Sequence, residues 1–458
     1  MTDHSELPLD SDLAASIDHP VQQPSLTRQS FSRFLADVTG LLFAILSAVV
    51  AARALGPTGK GLFSSVTLLA GILFSICSLG LGDAAVVLVG QKKATVQEAV
   101  SATIAASFLL SAVGAALLWG AALLAFGDNW EQVRSAVFLA CAGLPITLLL
   151  YNLGYLLFCQ DRVSAHSAVV AITSVATSLA LVLFVGIVNL SIAGGILANG
   201  VGALVGLLLA WWLLHRTGLS FRPRFDVAYL GPAARYGAFI AVSSVVTVMV
   251  LRVDMLLTYA LAGPEPAGYY SVALTLSALV GLLPVAISTA TFSRLTKVDE
   301  GTAKDLAAQA CRYGAAAALT VAAALAVAVP FTLPLLFGRE FRPAVAPTLV
   351  LLPGGVFWSV QWILCRSAAA RGRPGLLLQS FFLALAVMLG MDLFLIPRLG
   401  ILGAALSAVV GPAAGLGLCL ISYHRSPVWS IRPRSLVPRI ADFRVVVTQS
   451  VQLVRFPR

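Results

Sequence analysis

The apolar run from Tyr236 to Leu282, YGAFIAVSSVVTVMVLRVDMLLTYALAGPEPAGYYSVALTLSALVGL, carries two charges in its interior, Arg252 and Asp254. A charge near the centre of a membrane-spanning helix costs about 2.5 to 3.5 kcal/mol on insertion scales, so each needs a partner, a wet cavity or a task. Two residues apart on a helix, they stand about 200° apart and cannot pair with each other. Asp254 shares a stripe with Ser243, Thr247 and Thr258, a polar face that could be turned toward a cavity. The guanidinium of Arg252 offers a fork of donors to a diphosphate or an acidic sugar, with Asp254 orienting it or a basic neighbour. A structural ion pair with another helix is the alternative.

Further polar groups sit at helical spacing in other apolar runs. Asn152 and Tyr155 share a face three residues apart, and Gln361 and Arg366, with Trp362 one turn from the arginine, approach one end of a later run. As cavity-lining groups they would hydrogen-bond sugar hydroxyls or meet a charged head group; interhelical hydrogen bonds and interfacial anchoring explain them as well. Asp37 is the candidate coupling carboxylate for ion-driven transport, although Arg33 four residues earlier allows a plain i, i+4 pair. Asp83 and Asp392, near the ends of their runs, are expected to be solvated. The string GPTGKG from Gly56 resembles a phosphate loop only briefly, because Ala54 and Gly61 stand where that motif needs glycine and a hydroxyl residue. Its segment falls between two runs, on the outer side.

Six cysteines fall singly inside apolar runs, without the paired spacing of a metal or redox site, so neither a metal nor a cofactor is expected. The connections on the outer side are short and hold no His or paired carboxylates, which argues against an enzyme. The net charge of +10 is spread beside apolar runs rather than gathered in an aromatic-interleaved patch, which argues against nucleic acid as a partner.

The elements that must position these residues are membrane helices. The chain is 59% hydrophobic and 11% charged, a balance suited to lipid rather than water. Twelve apolar runs of spanning length lie between residues 32 and 423. Residues 1–30 form an acidic tail without the basic start of a secretory signal; residues 215–232 form a basic linker; residues 424–458 form a basic tail that lies on the inner leaflet or is disordered. Most of the Lys and Arg residues fall on the side of the two termini, which makes both termini cytoplasmic.

The chain also repeats itself. Gly56-Pro57-x-x-x-Gly61-x-Phe63-Ser64 recurs as Gly263-Pro264-x-x-x-Gly268-x-Tyr270-Ser271; Phe126-Gly127, Leu144-Pro145 and Ile192-x-Gly194 recur as Phe337-Gly338, Leu352-Pro353 and Ile401-x-Gly403. Four matches in order at nearly one offset predict two six-helix lobes, residues 31–214 and 233–423. Six spans per lobe is even, so a pseudo-two-fold axis along the membrane normal relates them. The fold class is an all-α polytopic membrane protein of twelve transmembrane helices in a V shape around a central cleft, the architecture of a transporter.

On ARALGPTGKGLFSS, the YG…LRVDMLL…GYYS run, LFGREF and IPRLGILGAALS, the chain resembles the polysaccharide exporters and Wzx-like oligosaccharide flippases of the multidrug/oligosaccharidyl-lipid/polysaccharide (MOP) superfamily. The resemblance covers most of residues 32–423. It implies a MATE-like fold in a bacterial cell membrane and a carrier that turns a lipid-linked oligosaccharide, a polyprenyl-diphosphate glycan, from the inner to the outer leaflet. Membrane lipids and a polysaccharide polymerase complex are the partners it suggests. A cation-coupled multidrug exporter of MATE type shares the fold and is the alternative. The chain departs from the family in having Phe292 where members often carry a proline, and it lacks the two extra C-terminal spans of peptidoglycan-precursor flippases.

Overall fold

A computed structural model describes residues 26–443 except 161, 297, 374 and 426–435, with only the backbone described at 26–38, 41, 239 and 293. The acidic segment 1–25 and residues 444–458 lie outside the described residues. Among those described, every regular element is helical: α1 (Leu26–Cys77), α2 (Leu81–Gly90), α3 (Val96–Phe126), α4 (Trp130–Cys159), α5 (Val163–Leu181), α6 (Ser191–His215), α7 (Val227–Ala262), α8 (Pro264–Ser277), α9 (Leu282–Leu295), α10 (Glu300–Phe337), α11 (Val345–Ala370), α12 (Gly375–Leu399) and α13 (Ile401–Arg425).

Ten described segments are long and apolar enough to cross a membrane, against the expected twelve. The difference lies in two of them, Leu42–Gly90 and Val96–Cys159, of 49 and 64 residues. Each is more than twice the roughly 20 residues that one crossing takes, and each runs through a backbone break. The first breaks at Gly56, where φ is 65°, and the second at Gly127–Asn129, beyond which α4 packs back on α3. Large side chains such as Leu124, Phe331 and Leu335 stand bare on the outside, as they must where the solvent is acyl chain.

The matched motifs occupy matching elements. Gly56 and Gly263 both take positive φ, and in each case a proline follows as the first residue of a new helical stretch, where its missing N–H costs nothing. Phe126 and Phe337 are both buried at helix ends, each followed by a positive-φ glycine and a 3-10 turn. Pro145 and Pro353 lie inside α4 and α11. Polar caps start the helices that leave the membrane-adjacent loops. Thr95 and Glu98 form a capping box on α3, Asp226 accepts from the first turn of α7, and Asp299 caps α10. Hydrogen bonds from Thr302 hold the Asp299 carboxyl below its usual range, so that cap is intact at neutral pH and is lost as acid protonates it.

Two close approaches join the halves. At one seam the Gly-Pro motifs meet reciprocally: a Cβ on Gly61 would overlap the Pro264 carbonyl oxygen, and one on Gly268 would overlap that of Pro57. Arg53 reinforces this seam, donating to the carbonyls of Leu336 and Leu335 at 2.7 and 2.6 Å. Asn129 donates to the Tyr259 hydroxyl at 3.2 Å, and Phe126 packs on the same tyrosine ring at 5.1 Å. At the other seam Gly80 and Gly237 touch backbone to backbone, beside Tyr229 and Ala233, which pack among α2 and α3. The seams lie about 30 Å apart along α1 at 1.5 Å per residue, and both are closed.

The tail expectation takes a specific form over residues 436–443. Leu436 and Phe443 pack on the α10–α11–α13 core, and Asp442 reaches Arg312 at 3.6 Å. The segment lies on protein.

The Gly-Pro seam has no room for a methyl group. Gly61→Ala and Gly268→Ala should each destabilise the protein by about 1 to 3 kcal/mol in thermal unfolding, the range for overpacking a closed contact. Gly71→Ala, with nothing within 4 Å of its added carbon, is the neutral control.

Candidate functional site

Arg252 and Asp254 leave α7 on different sides and meet different surroundings. Asp254 is 1% exposed. One carboxylate oxygen accepts from the Met255 N–H at 2.8 Å and the other from the Tyr270 hydroxyl at 2.5 Å. Thr258, the next residue of the anticipated polar stripe, is equally buried and returns its hydroxyl to the Asp254 carbonyl at 2.7 Å. This part of the stripe faces the interior of the second half of the chain.

Asp392 on α12 completes the group. It is not solvated at a span end, as the sequence suggests, but has no exposed surface, and neither oxygen has a hydrogen-bond partner. It lies within electrostatic reach of Asp254 and Tyr270, with Ser407 of α13 beside it. Two carboxylates in one buried space need a proton or a cation as counter-charge, and among the described residues no basic side chain lies within ion-pair distance of either. Asp254, Asp392 and Ser407 are the residues that could hold a small cation. Asp83 is partly buried and accepts from the Tyr151 hydroxyl at 2.6 Å.

Arg252 is half-buried and makes no ion pair or hydrogen bond among the described residues. Across the Gly-Pro seam, in the first half of the chain, stands a second cation. Lys60 is 6% exposed, has no carboxylate within 4 Å, and has its ammonium 5.3 Å from the centre of the Phe63 ring. Lys60 and Arg252 lie close enough to feel each other's charge. A cation over an aromatic ring gains about 0.5 to 2 kcal/mol, whereas the effective cost of removing one from water is several kcal/mol. Phe63 alone therefore does not compensate Lys60.

The remaining anticipated residues are dispersed. Asn152 is buried between α4 and α3, donating to Ser107 at 2.8 Å and leaving its carbonyl oxygen unpaired. Tyr155 is partly exposed in an aromatic group with Tyr151, Phe158 and His166. Gln361 is fully buried against Gly415, with both amide atoms unpaired. The Arg366 guanidinium lies 4.5 Å from the Phe292 ring centre and 5.9 Å from that of Trp362. The side chain of Asp37 lies outside the described residues. Thus Asp254 is hydrogen-bonded to Tyr270, Asp392 lies within electrostatic reach of Asp254 and Arg252 within that of Lys60, while Asn152 and Gln361 sit inside helix packing.

Three of these residues were visible in the sequence without their role. Lys60 stands in the failed phosphate loop, and Tyr270 in the repeated Gly-Pro motif. Asp392 was the clearest available signal, a carboxylate within an apolar run.

With the geometry in hand, comparisons place the chain. The family described as "Polysaccharide biosynthesis protein" matches residues 26–298. No curated protein matches the sequence. Among solved structures, the chain is similar to a lipid II flippase, MurJ, in an inward closed conformation, at 15% identity over 93% of this chain and 91% of that one, with a TM-score of 0.71. It is also similar to a multidrug resistance MATE family transporter of the MOP superfamily in an inward-facing conformation, at 14% identity over 83% and 94%, TM-score 0.66. A MOP superfamily transporter from Pyrococcus furiosus aligns at 15% identity over 87% and 94%, TM-score 0.61. At such identities the likeness concerns the fold, which is that of the V-shaped MOP transporters. The family match spans more than half of the sequence, and the chain belongs to the polysaccharide biosynthesis protein family.

Proposed function

We propose that this multi-pass membrane protein is a flippase for a polyprenyl-diphosphate-linked oligosaccharide, which it moves from the inner to the outer leaflet by alternating access between two six-helix lobes. The observation that carries this reading is Arg252, a half-buried guanidinium in a spanning helix, within electrostatic reach of Lys60 and with no carboxylate within 4 Å. A diphosphate is the ligand whose paired oxygens suit that fork. Family membership in polysaccharide biosynthesis and the fold shared with a lipid II flippase favour the same substrate class. In this reading the membrane is a bacterial cell membrane, and the excess of Lys and Arg on the side of the termini supports an outward-lying Gly-Pro seam. A polysaccharide polymerase complex would then receive the cargo outside.

A second reading has its own observation. The buried pair Asp254 and Asp392 would suit cation coupling, which a multidrug exporter of MATE type needs. The same pair serves a coupled flippase equally well, so it bears on the energy source more than on the cargo.

Reconstitution with a fluorescent polyprenyl-diphosphate oligosaccharide, scored by quenching from outside the vesicle, tests the first reading. Wild-type protein should accelerate leaflet exchange. Arg252→Ala, present at the same level in the membrane, should slow it about 10- to 100-fold, the worth of one charge-assisted hydrogen-bonded contact. Altered drug susceptibility on expression, without glycan-lipid exchange, would move the assignment to the exporter.

Asp392→Asn separates coupling from carriage. It should abolish acceleration of exchange by an imposed proton or sodium gradient while leaving exchange without a gradient within about threefold of wild type. An undiminished gradient response would remove the acidic pair from the mechanism.

A further inference from the structure

The last described stretch of the chain, residues 436–443, plays no part in the reading above, and its two sides differ. Leu436 and Asp442 are each 7% exposed. Leu436 joins the buried core built by α9, α10, α11 and the end of α13, and Phe443 packs against the same core. Asp442 reaches Arg312 of α10 at 3.6 Å and also closes a turn: its carboxylate accepts from the Arg439 N–H at 2.7 Å, and its own N–H donates to the Arg439 carbonyl at 2.8 Å. On the other side Val437 is 61% and Ile440 79% exposed, with Arg439 exposed between them.

Arg312 sets the depth of this turn. From Tyr313 to Phe337, α10 carries no charge, a run long enough for one crossing, whereas Lys304, Asp305 and Arg312 precede it. Arg312 therefore marks a membrane boundary, and Asp442, in contact with it, lies at the same level. Tyr423, two residues before the end of α13, belongs to the same core and agrees with that level. An exposed side chain at this depth points into the interfacial layer of the bilayer or across the mouth of the bundle. Val437 and Ile440, apolar and three apart, suit the first.

We propose that residues 436–443 form a two-sided clip, fastened to the second half of the chain through Leu436, Asp442 and Phe443, with Val437, Arg439 and Ile440 seated in anionic phospholipid of the adjoining leaflet. Two apolar side chains flanking a guanidinium make an interfacial anchor: the apolar pair enters the acyl boundary and the cation stays with the phosphates. Most of the Lys and Arg residues fall on the side of the termini, which complements an anionic leaflet there. Two side chains offer far less than the roughly 1,000 Å² that a stable protein interface buries, so lipid is the occupant. One turn presents both faces, so lipid that engages it only when docked strengthens the docking by the same factor. The clip thus ties the ends of α10, α11 and α13 to the composition of the bilayer. The inference does not depend on the cargo.

Hydrogen exchange of the full chain in nanodiscs tests it. Amides of residues 436–443 should exchange about fivefold more slowly in discs containing phosphatidylglycerol than in phosphatidylcholine alone, the worth of one basic residue at an anionic surface. Val437→Ser combined with Ile440→Ser should speed that exchange about tenfold in both lipids. Because both residues face away from the core, the melting temperature of the double variant in detergent should stay within about 2 °C of wild type. A larger fall would show that the pair packs on protein, and would overturn the clip. Exchange indifferent to lipid charge overturns the assignment to anionic head groups.

Photocrosslinking identifies the occupant. With p-benzoylphenylalanine in place of Ile440, irradiation in the anionic discs should give a phospholipid adduct in the mass spectrum. An adduct to a second copy of the chain would make this face a dimer contact, and the absence of any adduct would place it in water; either result removes the lipid anchor.

Discussion

A charge enclosed by helices that are themselves enclosed by lipid can be compensated in only two ways: by a side chain that is always there, or by something that arrives. The structure holds both kinds of charge. Asp254 is held by the Met255 N–H and the Tyr270 hydroxyl. Lys60, Arg252 and Asp392 have no such partner among the described residues. In a medium that punishes unpaired charge, these positions mark where solutes or ions are expected.

The separation of the two signs is informative in itself. Lys60 lies next to the seam residue Gly61 and within electrostatic reach of Arg252, whereas Asp254 and Asp392 lie within the second half and are tied to the seam through Tyr270, two residues past Gly268. A change in the acidic pair can therefore reach the seam through one hydrogen bond and through the field felt by Arg252. MOP transporters with different cargoes share this scaffold, so the arrangement of charge discriminates among them better than the course of the helices does.

Much of the architecture was legible in the sequence because it rests on local properties. Apolar runs of spanning length, the Gly-Pro breaks at Gly56 and Gly263, and the paired Phe-Gly helix ends can be read without knowing what packs on what. The count of spans differs because the chain turns at Gly56 and at Gly127–Asn129 without an intervening non-helical stretch. The site was harder to read because helical periodicity says which residues share a face and not what that face meets. Asp254 and Thr258 do share a face, but it is turned inward. Lys60 lies in a string that looks like a loop; its neighbour Gly61 is in contact with Pro264 and Gly268, some two hundred residues away. No local pattern encodes that distance.

The reciprocity of the Gly61–Pro264 and Gly268–Pro57 contacts has a corollary in symmetry. Such a self-complementary patch is what a symmetric pair of identical units would present, each offering the same surface to the other. Identical units would have to carry a lysine at the position of Lys60 twice or not at all, whereas a single chain that holds both motifs can carry Lys60 in one and Ala267 in the other, and so polarise a contact whose backbone is symmetric.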